Sequence, residues 1–386
     1  MKQRKVVILG STGSIGTSAL KVAREHPERM QVVALAAHSS VDKLAEQARE
    51  FGVKHVCLYD ERKLADLRAK LPADVTVYAG EEGLCELARL SGADMVLVSI
   101  IGTAGLKPTL AAIAEGKDLA IASKEILVMA GEVVMARARE KGIAVLPVDS
   151  EHNAIFQCLQ GHRGGSEQVS RLILTASGGP FRTTPAEELK NVTLEQALKH
   201  PTWSMGQKIT IDSATMFNKG LEMIEARWLF GITMDKIDVV VHPQSIVHSL
   251  VEYTDGSILA QLSASDMCFP IQYAVTWPER VQNTLPHLNL AQIASLRFEE
   301  PRWDDFPALR LARMAGRVGG TMPAMYNAAN EVAVQAFVEG RLSFPGIWET
   351  VEKVLGQVSA RDYHGELSII LEDDALARET ARRLIP

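Results

Sequence analysis

The sequence predicts an α/β chain in three parts: a doubly wound parallel sheet at the N-terminus, a central α+β segment and a helical C-terminal end. Three observations predict it. Apolar, β-branched runs alternate with amphipathic helical patterns over the first 150 residues. A mixed pattern with a hairpin signal follows, and beyond residue 302 helical periodicity dominates. Strands that are apolar on both faces and separated by amphipathic helices require a sheet covered on both sides, which is the Rossmann-like arrangement.

The strand-like runs lie at 5–9, 31–36, 54–59, 75–79, 94–100, 118–122 and 143–148. Between them fall helical patterns such as Val41 to Phe51, apolar at 41, 44, 45, 48 and 51, and Ala104 to Glu115. A strand at Arg171 to Ala176 then runs into Ser177-Gly178-Gly179-Pro180, which must turn. A strand near 208–211 and a long helix from about 214 to 229 are expected next. Ile246 to Tyr253 and Ser257 to Leu262 form a hairpin pattern around Thr254-Asp255-Gly256. Trp277 to Pro301, with Pro278 and Pro286, reads as a linker. Helices are expected at about 306–316, 321–339, 345–357 and 373–384. The expected domains are 1–149, 150–276 and 303–386, with 277–302 as the linker.

A chain of 386 residues is too long for one compact core, and its 47% hydrophobic and 23% charged residues are those of an ordinary globular protein. A net charge of −6 argues against a general nucleic-acid binder. Cys57, Cys85, Cys158 and Cys268 are scattered without metal-ligand spacing, so buried apolar filler in a reducing compartment is their expected role. The basic start, Met1 to Lys5, precedes an apolar run too short for a signal-peptide core. No apolar stretch approaches the ~20 residues that span a bilayer. A cytoplasmic location is expected, or a chain whose transit segment has been removed.

The first strand runs into Gly10-Ser11-Thr12-Gly13-Ser14-Ile15-Gly16 at the mouth of a helix. Glycines there let the backbone approach a pyrophosphate, whose charge the helix N-terminus then holds. The alternative is a tight strand–helix turn that needs small residues. After the second strand the chain reads Ala37-His38-Ser39-Ser40, without the acid that binds the ribose hydroxyls of NAD. That favours NADP, with Ser39, Ser40 and His38 as hydrogen-bonding partners. The alternative is a polar loop that caps the next helix.

Two carboxylates, Asp149 and Glu151, end the strand at 143–148, where ligands of open α/β sheets collect. So close together they repel unless a cation or basic group intervenes, and an all-oxygen set suits Mg²⁺ or Mn²⁺. The bland alternative is an acidic helix start that complements the dipole. Further on, Ser213 is placed to cap a helix on which Asn218 and Glu222 share a face, with Lys219 on the neighbouring edge. Such a group could hold a phosphate beside a metal, or could be a solvated face with a weak Lys–Glu pair. Glu225 is a competing ligand. Gly220, costly inside a helix, points to close approach by another element. Lys124 follows the strand at 118–122 and could reach the same cleft, or stand exposed in a helix-opening turn. The loop His200-Pro201-Thr202-Trp203-Ser204-Met205-Gly206 could be a lid, or a surface loop anchored by Trp203. His242 and His248 read as structural hydrogen-bonding groups.

Taken in order and spacing, Gly10 to Gly16, Ser123-Lys124-Glu125, Asp149-Ser150-Glu151-His152-Asn153, Ser177 to Phe181, His200 to Gly206 and Asp212 to Glu222 resemble the 1-deoxy-D-xylulose 5-phosphate reductoisomerase family over essentially the whole chain. The resemblance implies a homodimer with an NADPH-binding domain, a central catalytic and dimerisation domain, and a C-terminal helical domain. It implies rearrangement of 1-deoxy-D-xylulose 5-phosphate and reduction by NADPH to 2-C-methyl-D-erythritol 4-phosphate, in non-mevalonate isoprenoid synthesis. Asp149, Glu151 and Glu222 would bind Mg²⁺, Mn²⁺ or Co²⁺. Lys124, Ser150 and Glu151 would face the substrate's hydroxyl and carbonyl end, and Ser177, Ser213, Asn218 and Lys219 its phosphate. His200, Trp203 and Met205 would lie on the closing loop. Thr12, Gly13, Ser14, Ile15, Ser39, Ser40, Ser123, Glu125 and Gly206 would meet the cofactor.

Two departures stand out. Family members often carry Gly-Lys/Arg-Asn where this chain has His38-Ser39-Ser40, and commonly Asn at the position of Ser123. The first weakens the expected grip on the NADPH 2′-phosphate, so a reduced preference for NADPH over NADH is expected. The rival readings are an NADP-linked dehydrogenase without the carbon shift and an inactive dinucleotide sensor.

Overall fold

A computed structural model describes residues 3–161, 165–203 and 205–386. Met1 and Lys2 of the basic start, and Ser204 of the expected lid, therefore lie outside the described residues. The chain divides into two compact units: residues 1–126, 133–153 and 266–286 form the first, and 127–132, 154–265 and 287–386 the second.

The first unit holds seven strands: β1 (Arg4–Leu9), β2 (Met30–Ala37), β3 (His55–Leu58), β4 (Thr76–Ala79), β5 (Met95–Val98), β6 (Asp118–Ile121) and β7 (Val145–Pro147). Each expected run overlaps one of them. They form a single sheet in the order β4-β3-β2-β1-β5-β6-β7, and every pairing is parallel. The chain works outward from β1 to β4, then returns to lay β5 beside β1, so the switch point falls between β1 and β5. Val6 to Leu9 and Met95 to Val98 are fully buried, as apolar strands covered on both faces must be. The helix Val41–Phe51 has the expected bounds and buries Leu44, Ala45 and Ala48. The helix Cys268–Thr276, which the sequence reading missed, packs against the helix Ser14–Glu25 and returns the chain to this unit.

The second unit carries β8 (Val169–Ala176), β9 (Ile237–Val241), β10 (Val247–Tyr253) and β11 (Ile258–Leu262) in the order β11-β10-β8-β9. The β10–β11 hairpin is antiparallel as expected, β10 is antiparallel to β8, and β8 is parallel to β9. The helix Phe217–Phe230 packs against β8 and β9, Ala308–Val318 packs on that helix and on Met322–Val338, and Gly346–Gln357 and Leu367–Leu384 pack on Met322–Val338 in turn. Phe344, fully buried, meets Phe181 at 4.9 Å and Trp348 at 5.4 Å between ring centroids, both edge to face. The helical end thus shares one hydrophobic core with the central sheet.

Three expectations change. The stretch 208–211 is not a strand but part of the helix Gln207–Ala214. Ile209 and Ile211 alternate like a strand, yet Thr210 donates its hydroxyl to Gly206 O at 2.8 Å and Lys208 pairs with Asp212 four residues on, both helical spacings. The long helix starts at Phe217 rather than 214, because Met216 takes a left-handed φ of +65° that separates it from the helix before. Ser213 consequently caps nothing: it lies in the last turn of the preceding helix, and Met216 occupies the N-cap position without a side-chain cap. The linker stretch contains a short helix, Leu290–Ile293, and a bridge from Glu299 to Val241. All four cysteines are buried and free, as expected. Among the described residues no helix is long and apolar enough to cross a membrane.

Candidate active site

In the first unit the glycine loop follows β1. Gly10 has a φ of +96°, and a Cβ on it would stand 2.6 Å from Ser99 O beyond the end of β5, so only glycine fits at the switch point. A Cβ on Gly16 would stand 2.3 Å from Gly10 O, which is why the helix can start so tightly against the strand. Gly13 is the N-cap of the helix Ser14–Glu25, has no side-chain cap, and no acid occupies the first turn. The helix start therefore keeps its positive end for an anion. Gln47, unremarked in the sequence, fixes this loop. It accepts from Ser11 Oγ at 2.8 Å and donates to Ser11 O at 3.1 Å, all buried. Its place three residues after Leu44 on the buried helix face was the available signal. Ser40 is the N-cap of Val41–Phe51 but makes no side-chain cap bond.

The strand ends β6 and β7 create the charged part. Ile121 pairs with Pro147 in register, which sets Lys124 and Asp149 just past adjacent carboxyl ends. Lys124 Nζ donates to Asp149 Oδ2 at 2.8 Å, and their side chains are only 7% and 12% exposed. Lys124 is thus not an exposed lysine, and it supplies the basic group that the adjacent carboxylates require. Asp149 Oδ1 lies 3.3 Å from His152 Nδ1, and Ser150 Oγ donates to Glu151 Oε2 at 2.6 Å. Asn153 Nδ2 ties this corner to Pro147 O at 2.8 Å and Pro270 O at 3.2 Å. Ser123 is buried, and its hydroxyl donates to Ile100 O at 2.5 Å, while the neighbouring Glu125 is also buried.

In the second unit Ser177 follows β8. Its hydroxyl lies 3.0 Å from His200 Nε2 and accepts the Gly179 N–H at 3.2 Å. His200 Nδ1 in turn accepts the Thr202 and Trp203 N–H groups at 3.1 and 2.9 Å. An Nδ1 that accepts leaves the proton of the neutral ring on Nε2, so His200 donates to Ser177. Trp203 and Met205 are half-buried, and Gly206 is the exposed N-cap of Gln207–Ala214. Gly179, at φ +66°, would place a Cβ 2.9 Å from Ser213 O, so the Ser177 turn lies against Ser213.

On the helix Phe217–Phe230 the shared face is real. Asn218 Nδ2 donates to Glu222 Oε1 at 2.6 Å, and Lys219 Nζ pairs with Glu222 Oε2. Lys219 and Glu222 are 3% and 1% exposed, which rules out the solvated-face alternative. Glu225, the competing candidate, is fully buried. Gly220 explains its own cost: a Cβ there would stand 2.5 Å from the Tyr326 hydroxyl and 2.9 Å from Ala312 Cβ. Asn330 Nδ2, which the sequence reading also missed, donates to Asp212 Oδ1 at 2.9 Å. His242 is buried, bonded through Nδ1 to Arg297 O at 2.7 Å and stacked on Phe298, in keeping with a structural role. His248 is buried within β10.

Three family models match the chain: 1-deoxy-D-xylulose 5-phosphate reductoisomerase at residues 6–131, its C-terminal domain at 145–230, and a further DXP reductoisomerase C-terminal domain at 262–380. The chain is 54% identical over 384 residues to the 1-deoxy-D-xylulose 5-phosphate reductoisomerase of Chlorobium chlorochromatii (strain CaD3), covering 99% of this chain and 100% of that one. Among solved structures, the reductoisomerase from Zymomonas mobilis in complex with NADPH is similar at a TM-score of 0.93 and 45% identity, covering 99% of each chain. A DOX-P reductoisomerase in complex with NADPH, fosmidomycin and magnesium is similar at a TM-score of 0.92 and 43% identity, covering 98% of each.

Proposed function

The chain belongs to the 1-deoxy-D-xylulose 5-phosphate reductoisomerase family, and from that premise we propose how its residues serve the reaction. It isomerises 1-deoxy-D-xylulose 5-phosphate and reduces the product to 2-C-methyl-D-erythritol 4-phosphate with NADPH and a divalent metal, in the non-mevalonate isoprenoid pathway. The single observation that carries the residue assignment is the mostly buried Lys124–Asp149 ion pair at the carboxyl ends of β6 and β7.

The residues fit the cofactor and the metal. Gly10 and Gly16 leave the backbone bare where a pyrophosphate would approach the helix start. Asp149, Glu151 and Glu222 offer oxygen donors only, which suits a hard divalent cation such as Mg²⁺, Mn²⁺ or Co²⁺. When bound, the cation polarises the oxygens of the hydroxy-ketone and NADPH supplies hydride.

The protein's own groups do the rest. Lys124 carries its ammonium to the hydroxyl and carbonyl end of the substrate, where Ser150 and Glu151 also face it, and can give a hydrogen bond to an oxygen that gains charge. Asp149 holds that ammonium in place. Ser177, Ser213, Asn218 and Lys219 bind the phosphate. A buried Lys219–Glu222 pair is poor evidence of stabilisation, since desolvation offsets its attraction, so a ligand explains it better. The remote phosphate contributes binding energy that positions the reacting carbons. His200 orients Ser177, and with Trp203 and Met205 excludes water when its loop closes. Thr12, Gly13, Ser14, Ile15, Ser39, Ser40, Ser123, Glu125 and Gly206 line the cofactor. Residues 1–149 serve as the NADPH-binding domain, 150–276 as the catalytic and dimerisation domain, 277–302 as the linker and 303–386 as the helical domain.

A cytoplasmic homodimer is part of the same reading. The dimer is supported by β11, the terminal strand of its sheet, on which Ile258 and Leu259 are 48% and 50% exposed. The reaction itself is tested by incubating the protein with 1-deoxy-D-xylulose 5-phosphate and NADPH, with and without chelator, and identifying the product by NMR. A branched polyol phosphate formed only with metal is expected. An unbranched product, or oxidation indifferent to chelator, contradicts the proposal.

A further inference from the structure

The departure at His38-Ser39-Ser40 leaves the NADPH 2′-phosphate without a cation on the loop directly after β2. A nucleotide whose pyrophosphate sits on the β1 loop places its adenosine ribose at the end of β2. The basic residues around that end divide into two groups. Arg62 is engaged by Asp60 at 2.8 and 3.0 Å, Lys70 by Asp42 at 2.9 Å, and Arg24 by Glu50. Lys43 and Lys63 are different: among the described residues each is held by neutral oxygens only.

Lys43 lies in the first turn of Val41–Phe51 and reaches back to the glycine loop. Its Nζ donates to Thr12 O at 2.7 Å and to Thr17 Oγ1 at 3.3 Å. Lys63 ends the short 3₁₀ turn Glu61–Lys63 after β3 and reaches across to Ser39 O at 3.4 Å. The two ammonium groups are therefore anchored on neighbouring loops, Lys43 on the β1 loop and Lys63 on the β2 loop. An ammonium has three donors; Lys43 uses two on the protein and Lys63 one, so each keeps a donor and its full charge for an anion. Asp60, which also feels the charge of Lys63, is already engaged by Arg62 at 2.8 Å.

We propose that Lys43 and Lys63 form the 2′-phosphate clamp that sets NADPH preference in this chain, taking over from the cation absent after β2. The proposal rests on the NADPH reading given above. The clamp recognises the phosphomonoester and not the rest of the nucleotide, so its loss acts on NADPH and spares NADH.

The test uses full-length protein with K43M, K63M and the double substitution, at fixed ionic strength because the contacts are between exposed charges. Binding of adenosine 2′,5′-bisphosphate and of adenosine 5′-monophosphate to the protein is measured by calorimetry, and kcat/KM is compared for NADPH and NADH. Each single variant is expected to weaken bisphosphate binding by about tenfold, and the double variant by about a hundredfold, with monophosphate binding and NADH turnover within about twofold of wild type. A double variant that keeps the wild-type preference for the bisphosphate and for NADPH overturns the clamp. So does an equal loss for both nucleotides. Wild-type protein that binds neither adenosine nucleotide overturns the cofactor reading and the clamp with it.

Discussion

Lys124 Nζ stands 2.8 Å from Asp149 Oδ2, across the carboxyl ends of two adjacent parallel strands. The register that pairs Ile121 with Pro147 sets this distance, so the sheet itself aims an ammonium at a carboxylate. The pair is mostly buried, so desolvation offsets much of its attraction.

Lys124→Met removes that ammonium and keeps its length. Steady-state turnover with the sugar phosphate is expected to fall by about a hundredfold or more, the scale of a lost proton donor or oxyanion contact. Unfolding by urea checks that the fold survives. Turnover within threefold of wild type would remove Lys124 from the substrate.

Gly220 tests the packing of the second unit. An alanine there gains about 1 kcal/mol of helix propensity. Its Cβ, however, would stand 2.5 Å from the hydroxyl of Tyr326. Tyr326 cannot swing aside, being fully buried, tilted against Phe217 and bonded to Ala308 O at 3.1 Å. Overpacking of this kind costs about 1–3 kcal/mol and wins. Gly220→Ala should lower the urea midpoint, and a raised midpoint would contradict the packing described.

Alkaline pH tests the buried thiols. Burial pushes Cys57 and Cys268 from an ordinary value of 9.0 up to about 12. The folded state then keeps a proton that the unfolded chain releases, so the contribution to stability is complete below pH 9 and lost as pH climbs toward 12. Burial also raises Tyr78, Tyr253 and Tyr273, which adds to the same slope. The urea midpoint should fall steadily through this window, with native thiols slow to react with a disulfide reagent below it. A flat or rising midpoint would contradict the burial.

The parallel sheet was legible because each of its strands is an apolar run bounded by helical periodicity, and Val41–Phe51 could be read to the residue. The helix Gln207–Ala214 was misread because Lys208-Ile209-Thr210-Ile211 alternates like a strand. What decides it is Gly206 accepting from Thr210 and Asp212 meeting Asn330 at 2.9 Å, contacts at helical and long range that a local pattern does not carry. Ser213 looked like a cap for the same reason, since nothing local announces the left-handed Met216. Among the candidate site residues, those on one element could be related directly, as with Asn218, Lys219 and Glu222 at helical spacing. The meeting of Lys124 with Asp149 depends on strand order and register, which no spacing between them reveals. Gln47 stood on the buried face of Val41–Phe51, but its partner Ser11 lies 36 residues away, so its grip was not legible.

The proposed function needs a divalent cation held by Asp149, Glu151 and Glu222, acids from separate stretches of the chain. Mn²⁺ binding, followed by electron paramagnetic resonance in wild type and in Asp149→Asn and Glu222→Gln, tests it directly. One Mn²⁺ per chain is expected in the wild type, with affinity lowered by about tenfold or more in each variant and adenosine 2′,5′-bisphosphate binding unchanged. Glu222→Gln protein that binds Mn²⁺ as tightly as wild type would contradict this metal site and pass the ligand role to Glu225.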